Sequence, residues 1–529
     1  MNLQKLLQTL AAQNIELWVD GDKLRYRASE TALSPELLAE IKQYKAEIIS
    51  FLSQPRNIKN TDISVYALSD GQKALWFLYQ LSPESVAYNI NYAAKLANNL
   101  DIQALRKAAQ GIVDRHSALR TNFTIIDGEP LQKVNENQPV EFTVDDAFAW
   151  SQGEINNWLL EKSAVPFDLE NGSVIRFHLL INNKARNEYI LTIVQHHIIS
   201  DLWSSDIIIE ELEILYDAIV KDKEPLLPEK PSEYQDYVKW SEEILSGEYG
   251  DKLWQFWQQK LSGELPLINL PIDRQRPQEQ TYNGNSLVFN VEQKLLEGLQ
   301  TLARKERVSL YMLLLTVFQI LLSKYTNQED IIIGTPTINR SRPEFERIVG
   351  YFTNPVVLRG DLSGNPTLSE LLVRTKTCVL ETLEHQEYPF PLLVEKLQPA
   401  RDTSISPIYQ VVFAWDRSNI NDFENTDTNE RLIVEPIITN TKGAAFDLTL
   451  TIINDADSLQ GTWNYNTDLF DSITIERMIG HFMTLLSAIV ENSAARIKEL
   501  PILTTSEKQQ LLTEWNQTEA EYPVDKCIH

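Results

Sequence analysis

The sequence predicts a mixed α/β protein built as two similar lobes behind a small α+β module. Three observations carry this. Helical runs and buried-strand patterns follow one another over residues 64–505, on both sides of a proline- and charge-rich connection, KDKEPLLPEKPSE, at 221–233. The first 54 residues hold a helix–hairpin–helix pattern of their own, closed by the polar break QPRNIKNTD at 54–62. The chain is 529 residues long, too long for one ordinary core, so two to four domains are expected.

In the front module, LQKLLQTLAAQN places leucines at helical spacing, and IELWVDGDKLRYRAS reads as strand, Asp-Gly turn and strand. LSPELLAEIKQYKAEIISFLSQ is a helix with Ser34 as N-cap and Pro35 at its first position. Its apolar stripe is Leu37, Leu38, Ile41, Tyr44, Ile48, Ile49 and Leu52. Lys23, Arg25 and Arg27 are spaced by two and share one face of the second strand. In a chain this acidic, such a face suits an acidic peptide partner. An ordinary solvated face is the competing reading.

In the main body, DIQALRKAAQGIVDRHSAL (101–119) is a helix, while SVIRFHLLIN and EYILTIVQ are strands. The second strand ends in QHHIISDLWSS (195–205), and a helix is expected from Ser205. Beyond the break come the aromatic helices YQDYVKW and KLWQFWQQKL and the long apolar helix SLYMLLLTVFQILLSKYT. A strand IIIGTPT, a helix LSELLVRTKTCVLETLEH and the strands IYQVVFAWD and GAAFDLTLTIIN follow. The terminal YPVDKCIH reads as a cut inside or at the start of another domain.

A net charge of −26 argues against a nucleic-acid surface, which needs concentrated Lys and Arg. Cys378 and Cys527 are the only cysteines, too few for a disulfide framework or a cysteine metal cluster. No run approaches the roughly 20 apolar residues that span a bilayer, and the N-terminus lacks the pattern of a secretory signal. A cytoplasmic protein without a membrane partner is expected.

QHHIISDLWSS is where the chemistry concentrates. His197 and Asp201 with one more histidine could bind a metal, but neighbouring strand residues face opposite ways, so His196 and His197 do not suit one ion. No G-x-S-x-G elbow accompanies the histidines, which weakens a covalent triad. A single imidazole acting as acid, base or orienting group needs a fixed tautomer, and His196 and Asp201 could supply that fixation. Against this stands a bland reading: two satisfied core histidines and a helix-start aspartate.

The same stretch resembles the His-His-x-x-x-Asp-Gly signature of nonribosomal peptide synthetase condensation domains. LSDGQKALWFLYQLSPESVAYNI (68–90), RHSALRTNF (115–123), YQDYVKW (234–240), IVGYFTNPVVLR (348–359), HQEYPFPLLVEKL (385–397) and SPIYQVVF (406–413) resemble further motifs, in family order. The resemblance implies a V-shaped pair of chloramphenicol-acetyltransferase-like lobes, residues 64–231 and 232–505. A tunnel between them admits two phosphopantetheine arms carried by donor and acceptor carrier proteins; the chain itself binds no cofactor and no metal. It implies amide bond formation, by transfer of an acyl or peptidyl group from the upstream thioester to the amine of a downstream aminoacyl thioester. His197 then holds or deprotonates the amine, His196 is structural, and Asp201 pairs with an arginine, for which Arg340 in GTPTINR is the match.

The sequence departs from the family's pattern at Leu202, where a glycine is usual, and at Ala74, where an arginine is usual; GTPTINR is a slightly unusual motif that keeps its arginine. Leu202, Trp203 and Ala74 are therefore expected to modulate the tunnel. DLW, ALWFL and GYFTNPVVLR together resemble the subgroup found in hybrid assembly lines, where a polyketide synthase can stand upstream. Residues 1–57 resemble the tubulysin-type N-terminal docking domain, whose exposed β-hairpin takes up a C-terminal peptide of the upstream enzyme. That implies Lys23, Arg25 and Arg27 as the peptide-binding face. LLTEWNQTEAEYPVDKCIH resembles a linker into an adenylation domain, so 506–529 reads as linker and the start of a truncated one, with a peptidyl carrier protein beyond. The competing functions are a coenzyme A-dependent acyltransferase and a noncatalytic carrier-recruiting platform.

Overall fold

The computed structural model describes residues 16–20, 23–27, 45, 64–96, 99–147, 150–183, 188–230, 232–400, 402–417, 432–437, 439, 441–455 and 458–519. The expected helix at 3–14, the Ser34–Pro35 start, the break at 54–62 and the tail from 520 lie outside these residues; of the expected helix at 33–54 only Lys45 is described, as helical. The chain forms two compact units, 1–65 and 66–529.

In the first unit, Glu16–Asp20 and Lys23–Arg27 pair antiparallel as the expected hairpin. Its register sets Lys23 opposite Asp20, Arg25 opposite Trp18 and Arg27 opposite Glu16. Two of the three basic positions thus stand across from acidic residues.

The second unit is organised around two large sheets. The first sheet runs, in spatial order, 433–437, 89–96, 188–196, 175–183 and 141–146. All its pairings are antiparallel except the outermost, 141–146 with 175–183. The second sheet runs 284–291, 458–466, 448–455, 411–417, 330–337 and 354–361, with 411–417 parallel to both its neighbours. Period-two alternation explains the second sheet's two faces. Leu448, Leu450 and Ile452 turn into the lobe's core, while Thr449, Thr451 and Ile453 line a cavity on the other side.

Two features cross the expected lobe division. Ile433–Ile437, far beyond the break, joins the first sheet as its edge strand against Asn89–Leu96. Tyr234, Tyr237, Phe345, Ile348 and Phe352 are buried in the same core as the first lobe's Ile112, Phe177 and Leu212. Aromatic packing there is dense: Tyr237 and Phe352 have ring centroids 4.5 Å apart.

Several boundaries also differ from expectation. The 101–119 helix ends at Arg115 and gives way to a 3-10 turn, Ser117–Arg120. The helix expected from Ser205 begins at Leu202, because Asp201 caps it: its carboxylate accepts the Ser204 N–H at 2.8 Å. By length and mean hydropathy Ser472–Glu491 could cross a membrane, although Glu476 and Arg477 interrupt its apolar run. Ile475, Met478, Phe482, Leu485 and Leu486 of that helix, however, are packed in the second lobe's core.

Candidate active site

The strand Glu188–His196 is buried along almost its whole length and stops at the first histidine. His197 begins a 3-10 turn, His197–Ile199, so the two side chains diverge by a change of backbone path rather than by strand alternation. His196 lies edge-on to Phe167, and its Nδ1 accepts the Ile198 N–H at 3.1 Å, which leaves the ring proton on Nε2. Burial, helped by the neighbouring His197, pushes its pKa down to about 3. It is a neutral core histidine.

His197 is held the other way round. Its Nδ1 lies 2.8 Å from the Ser200 carbonyl, which can only accept, so the proton sits on Nδ1 and Nε2 keeps its lone pair. The backbone N–H of His197 donates to the Tyr88 carbonyl at 2.8 Å. Burial lowers its pKa, against the opposing pull of the Ser200 carbonyl and Asp201. A neutral imidazole with one free lone pair results, the state that suits a base or hydrogen-bond acceptor near pH 7.

Asp201 and Arg340 are adjacent, and each side chain is only 2% exposed. Arg340 Nη2 lies 3.2 Å from Asp201 Oδ1 and 2.8 Å from Ser204 Oγ. Nη1 donates to the carbonyls of Phe345 and Ile348, and the guanidinium stacks 3.9 Å over the Phe352 ring. Asp201 Oδ2 accepts the Phe352 N–H at 3.1 Å, and Ser204 Oγ bridges both backbone groups of Gly350. Burial lowers the arginine's pKa while Asp201 opposes it. The cluster ties the helix after His197 to the 340–352 segment of the chain.

Beside it opens a cavity of about 710 Å³, with His197, Tyr88 and Asn91 on the first lobe's side and Thr335, Thr451 and Asn464 on the second's. The crossing strand contributes Pro436 and Ile437. Leu202 lines this cavity and is 53% exposed. Trp203 and Ala74, expected with it at the tunnel, do not line it. The Trp203 indole turns to the second lobe and donates to the Glu346 carbonyl at 2.8 Å. Ala74 sits on the helix Asp70–Leu81, which meets the site one turn earlier, at Gly71.

Sequence reasoning does not single out Tyr351. Its ring centroid lies 5.1 Å from that of His197, at 80°, and it lines the cavity. The available signal is its place in the motif IVGYFTNPVVLR. Among the described residues, no group of three or more His, Cys, Asp or Glu is placed to hold a metal. Of Lys23, Arg25 and Arg27 the structure gives strand register alone.

Comparison with known proteins places these features. Residues 62–512 match the condensation domain family, and residues 3–54 match the TubC N-terminal docking domain. The chain is similar to a linear gramicidin synthase protein of Brevibacillus parabrevis, 37% identical over 87% of this chain and 6% of that protein. It is also similar to chondramide synthase cmdD of Chondromyces crocatus, 35% identical over 90% of this chain and 12% of that one. It therefore spans only 6% and 12% of the length of these two relatives. In fold it is similar to the X-domain from teicoplanin biosynthesis, with a TM-score of 0.74 and 24% identity, covering 83% of this chain and 97% of that one.

Proposed function

The chain belongs to the condensation domain family, and on that premise we propose that it joins an upstream acyl or peptidyl thioester to the amine of a downstream aminoacyl thioester. The carrying observation is His197: its Nδ1–H is locked onto the Ser200 carbonyl while the ring lines a cavity walled by both lobes. An amine arriving as the free base attacks the thioester carbonyl carbon. As the C–N bond forms, His197 Nε2 accepts a hydrogen bond, or the proton, from the nitrogen. The C–S bond then breaks, and the departing thiolate takes up that proton. A thioester is already activated, so confinement of both ends supplies much of the acceleration.

In this reading His196 is structural, Asp201 and Arg340 hold the turn that carries His197, and Leu202 narrows the cavity. The phosphopantetheine arms come from carrier proteins and belong to the substrates. Residues 1–57 capture an acidic C-terminal peptide of the upstream enzyme through Lys23, Arg25 and Arg27. The lobes are 64–231 and 232–505, and 506–529 leads towards an adenylation domain. The setting is cytoplasmic, without nucleic acid or membrane. The test is a panel of acyl-loaded donor carriers and aminoacyl-loaded acceptor carriers, read by mass spectrometry of the intact carriers. Mass transfer onto the acceptor supports the proposal; turnover of coenzyme A thioesters with free amines and of no carrier pair overturns it.

A further inference from the structure

Residue 351 is held from several sides. The N–H and C=O of Gly350 both engage Ser204 Oγ, the Phe352 N–H binds Asp201 Oδ2, and the Tyr351 carbonyl accepts the Tyr234 hydroxyl at 2.6 Å. The residue is 9% exposed. On one side it meets the His197 imidazole nearly perpendicularly, at 5.1 Å between centroids. On another it lies against the backbone of Gly71, where an added Cβ would come within 2.7 Å of Tyr351 Cε1. Gly71 is in the first turn of the helix Asp70–Leu81, with no positive φ to require glycine there. The missing side chain therefore makes room for the aromatic ring.

We propose that Tyr351 is a positioning residue for His197, and that Gly71 is glycine so that the ring can reach it. The Ser200 carbonyl fixes one atom of the imidazole but leaves rotation about that hydrogen bond. A perpendicular aromatic contact removes that freedom, since such pairs have preferred geometries. The buried Asp201–Arg340 cluster then acts on chemistry at a distance: it sets residues 350–352, and these set the imidazole. This inference rests on the reading of His197 as the group that meets the amine.

The test is a double-mutant cycle in the full chain, Tyr351→Ala, Gly71→Ala and the pair, with Tyr351→Phe as the conservative variant. Condensation is followed with the carrier pair that the unsubstituted chain turns over fastest. His197 is followed by NMR of chains labelled at histidine; there are seven imidazoles, and His197→Ala identifies the signal. Tyr351→Ala and Gly71→Ala should each lower kcat about 10- to 100-fold, the scale of a misplaced reacting group. KM for both carriers should stay within about twofold, the pattern of lost transition-state rather than uniform binding. The imidazole signals should change from one Nδ1–H form to a mixture.

Tyr351→Phe should recover most of the rate, and Gly71→Ala should do nothing further once Tyr351 is alanine. Undiminished kcat and an unchanged His197 signal in Tyr351→Ala overturn the inference. So does a Gly71→Ala loss that persists in full in the Tyr351→Ala background, or a Tyr351→Phe chain as slow as Tyr351→Ala. If no carrier pair reacts even in the parent chain, the amide-forming reading fails, and the imidazole signals alone decide whether Tyr351 sets His197.

Discussion

Replacing Arg340 by alanine removes the cation from a pair whose side chains are each 2% exposed. Breaking a buried pair in this way typically destabilises by about 3–5 kcal/mol. Here the value should be about 3 kcal/mol, because Asp201 keeps its hydrogen bonds from the Ser204 and Phe352 N–H groups. The remaining loss comes from the Phe345 and Ile348 carbonyls, each left without its guanidinium donor. Unfolding entropy is roughly 2.1 cal/mol/K per residue, so over a unit of about 450 residues 1 kcal/mol moves the midpoint by about 1 °C. A calorimetric midpoint about 3 °C below the parent follows, with condensation reduced as well. Asp201→Asn combined with Arg340→Met removes both charges at similar volume and should restore at least half of that stability. A midpoint within about 1 °C of the parent for Arg340→Ala, or a double variant as unstable as the sum of the singles, refutes the reasoning.

His197→Ala should lower condensation by roughly 10²-fold or more while leaving the fold and carrier binding intact, measured on a matched carrier pair; parent-like rates would reject the acid–base role. His196 makes stability fall with acid. Its folded pKa, about 3, lies below the ordinary histidine value, so between these limits the unfolded chain binds the extra proton and stability drops as pH falls. The slope is at most about 1.4 kcal/mol per pH unit, and His196→Gln should flatten the urea-unfolding profile between pH 6.5 and 4 if the assignment holds. Reversing Lys23, Arg25 and Arg27 to Glu should weaken capture of an acidic upstream peptide, with the difference shrinking as salt is added, since screening acts over roughly 8 Å at physiological ionic strength. Titration of the full chain with that peptide checks it. Asp20→Asn and Glu16→Gln, which neutralise the acidic residues opposite Lys23 and Arg27, should strengthen capture.

Much of the site is legible locally. The run 188–205 carries its own strand, turn and helix cap, so His196, His197 and Asp201 are recognisable within a few residues of one another. Arg340 is identified only through a motif; its partner lies 139 positions away, a separation that no periodicity encodes. Tyr351 escapes for the same reason, since its contact with His197 depends on Gly71, Ser204 and Asp201 arriving together in space. Departure from the family pattern puts Ala74 at the tunnel, and adjacency to Leu202 puts Trp203 there, yet helical geometry turns adjacent residues to different surroundings. Leu202 faces the cavity, whereas Trp203 reaches the Glu346 carbonyl. The helix begins three positions earlier than expected from Ser205, because Asp201 is its N-cap, as the helix-start reading of that residue had it.

The strand Ile433–Ile437 has a consequence for anyone recombining such proteins. It emerges from the second half of the sequence but completes the first half's sheet, where Lys95 reaches Glu435 and Asn91 reaches Thr439. A chimera joined at the 221–233 connection would inherit a first lobe from one parent and that lobe's edge strand from the other. Its mismatch would fall on Asn89–Leu96, whose Asn91 and Tyr92 line the cavity beside His197. The natural unit of exchange is therefore discontinuous: the first lobe travels with 433–439, or the whole body moves as one piece.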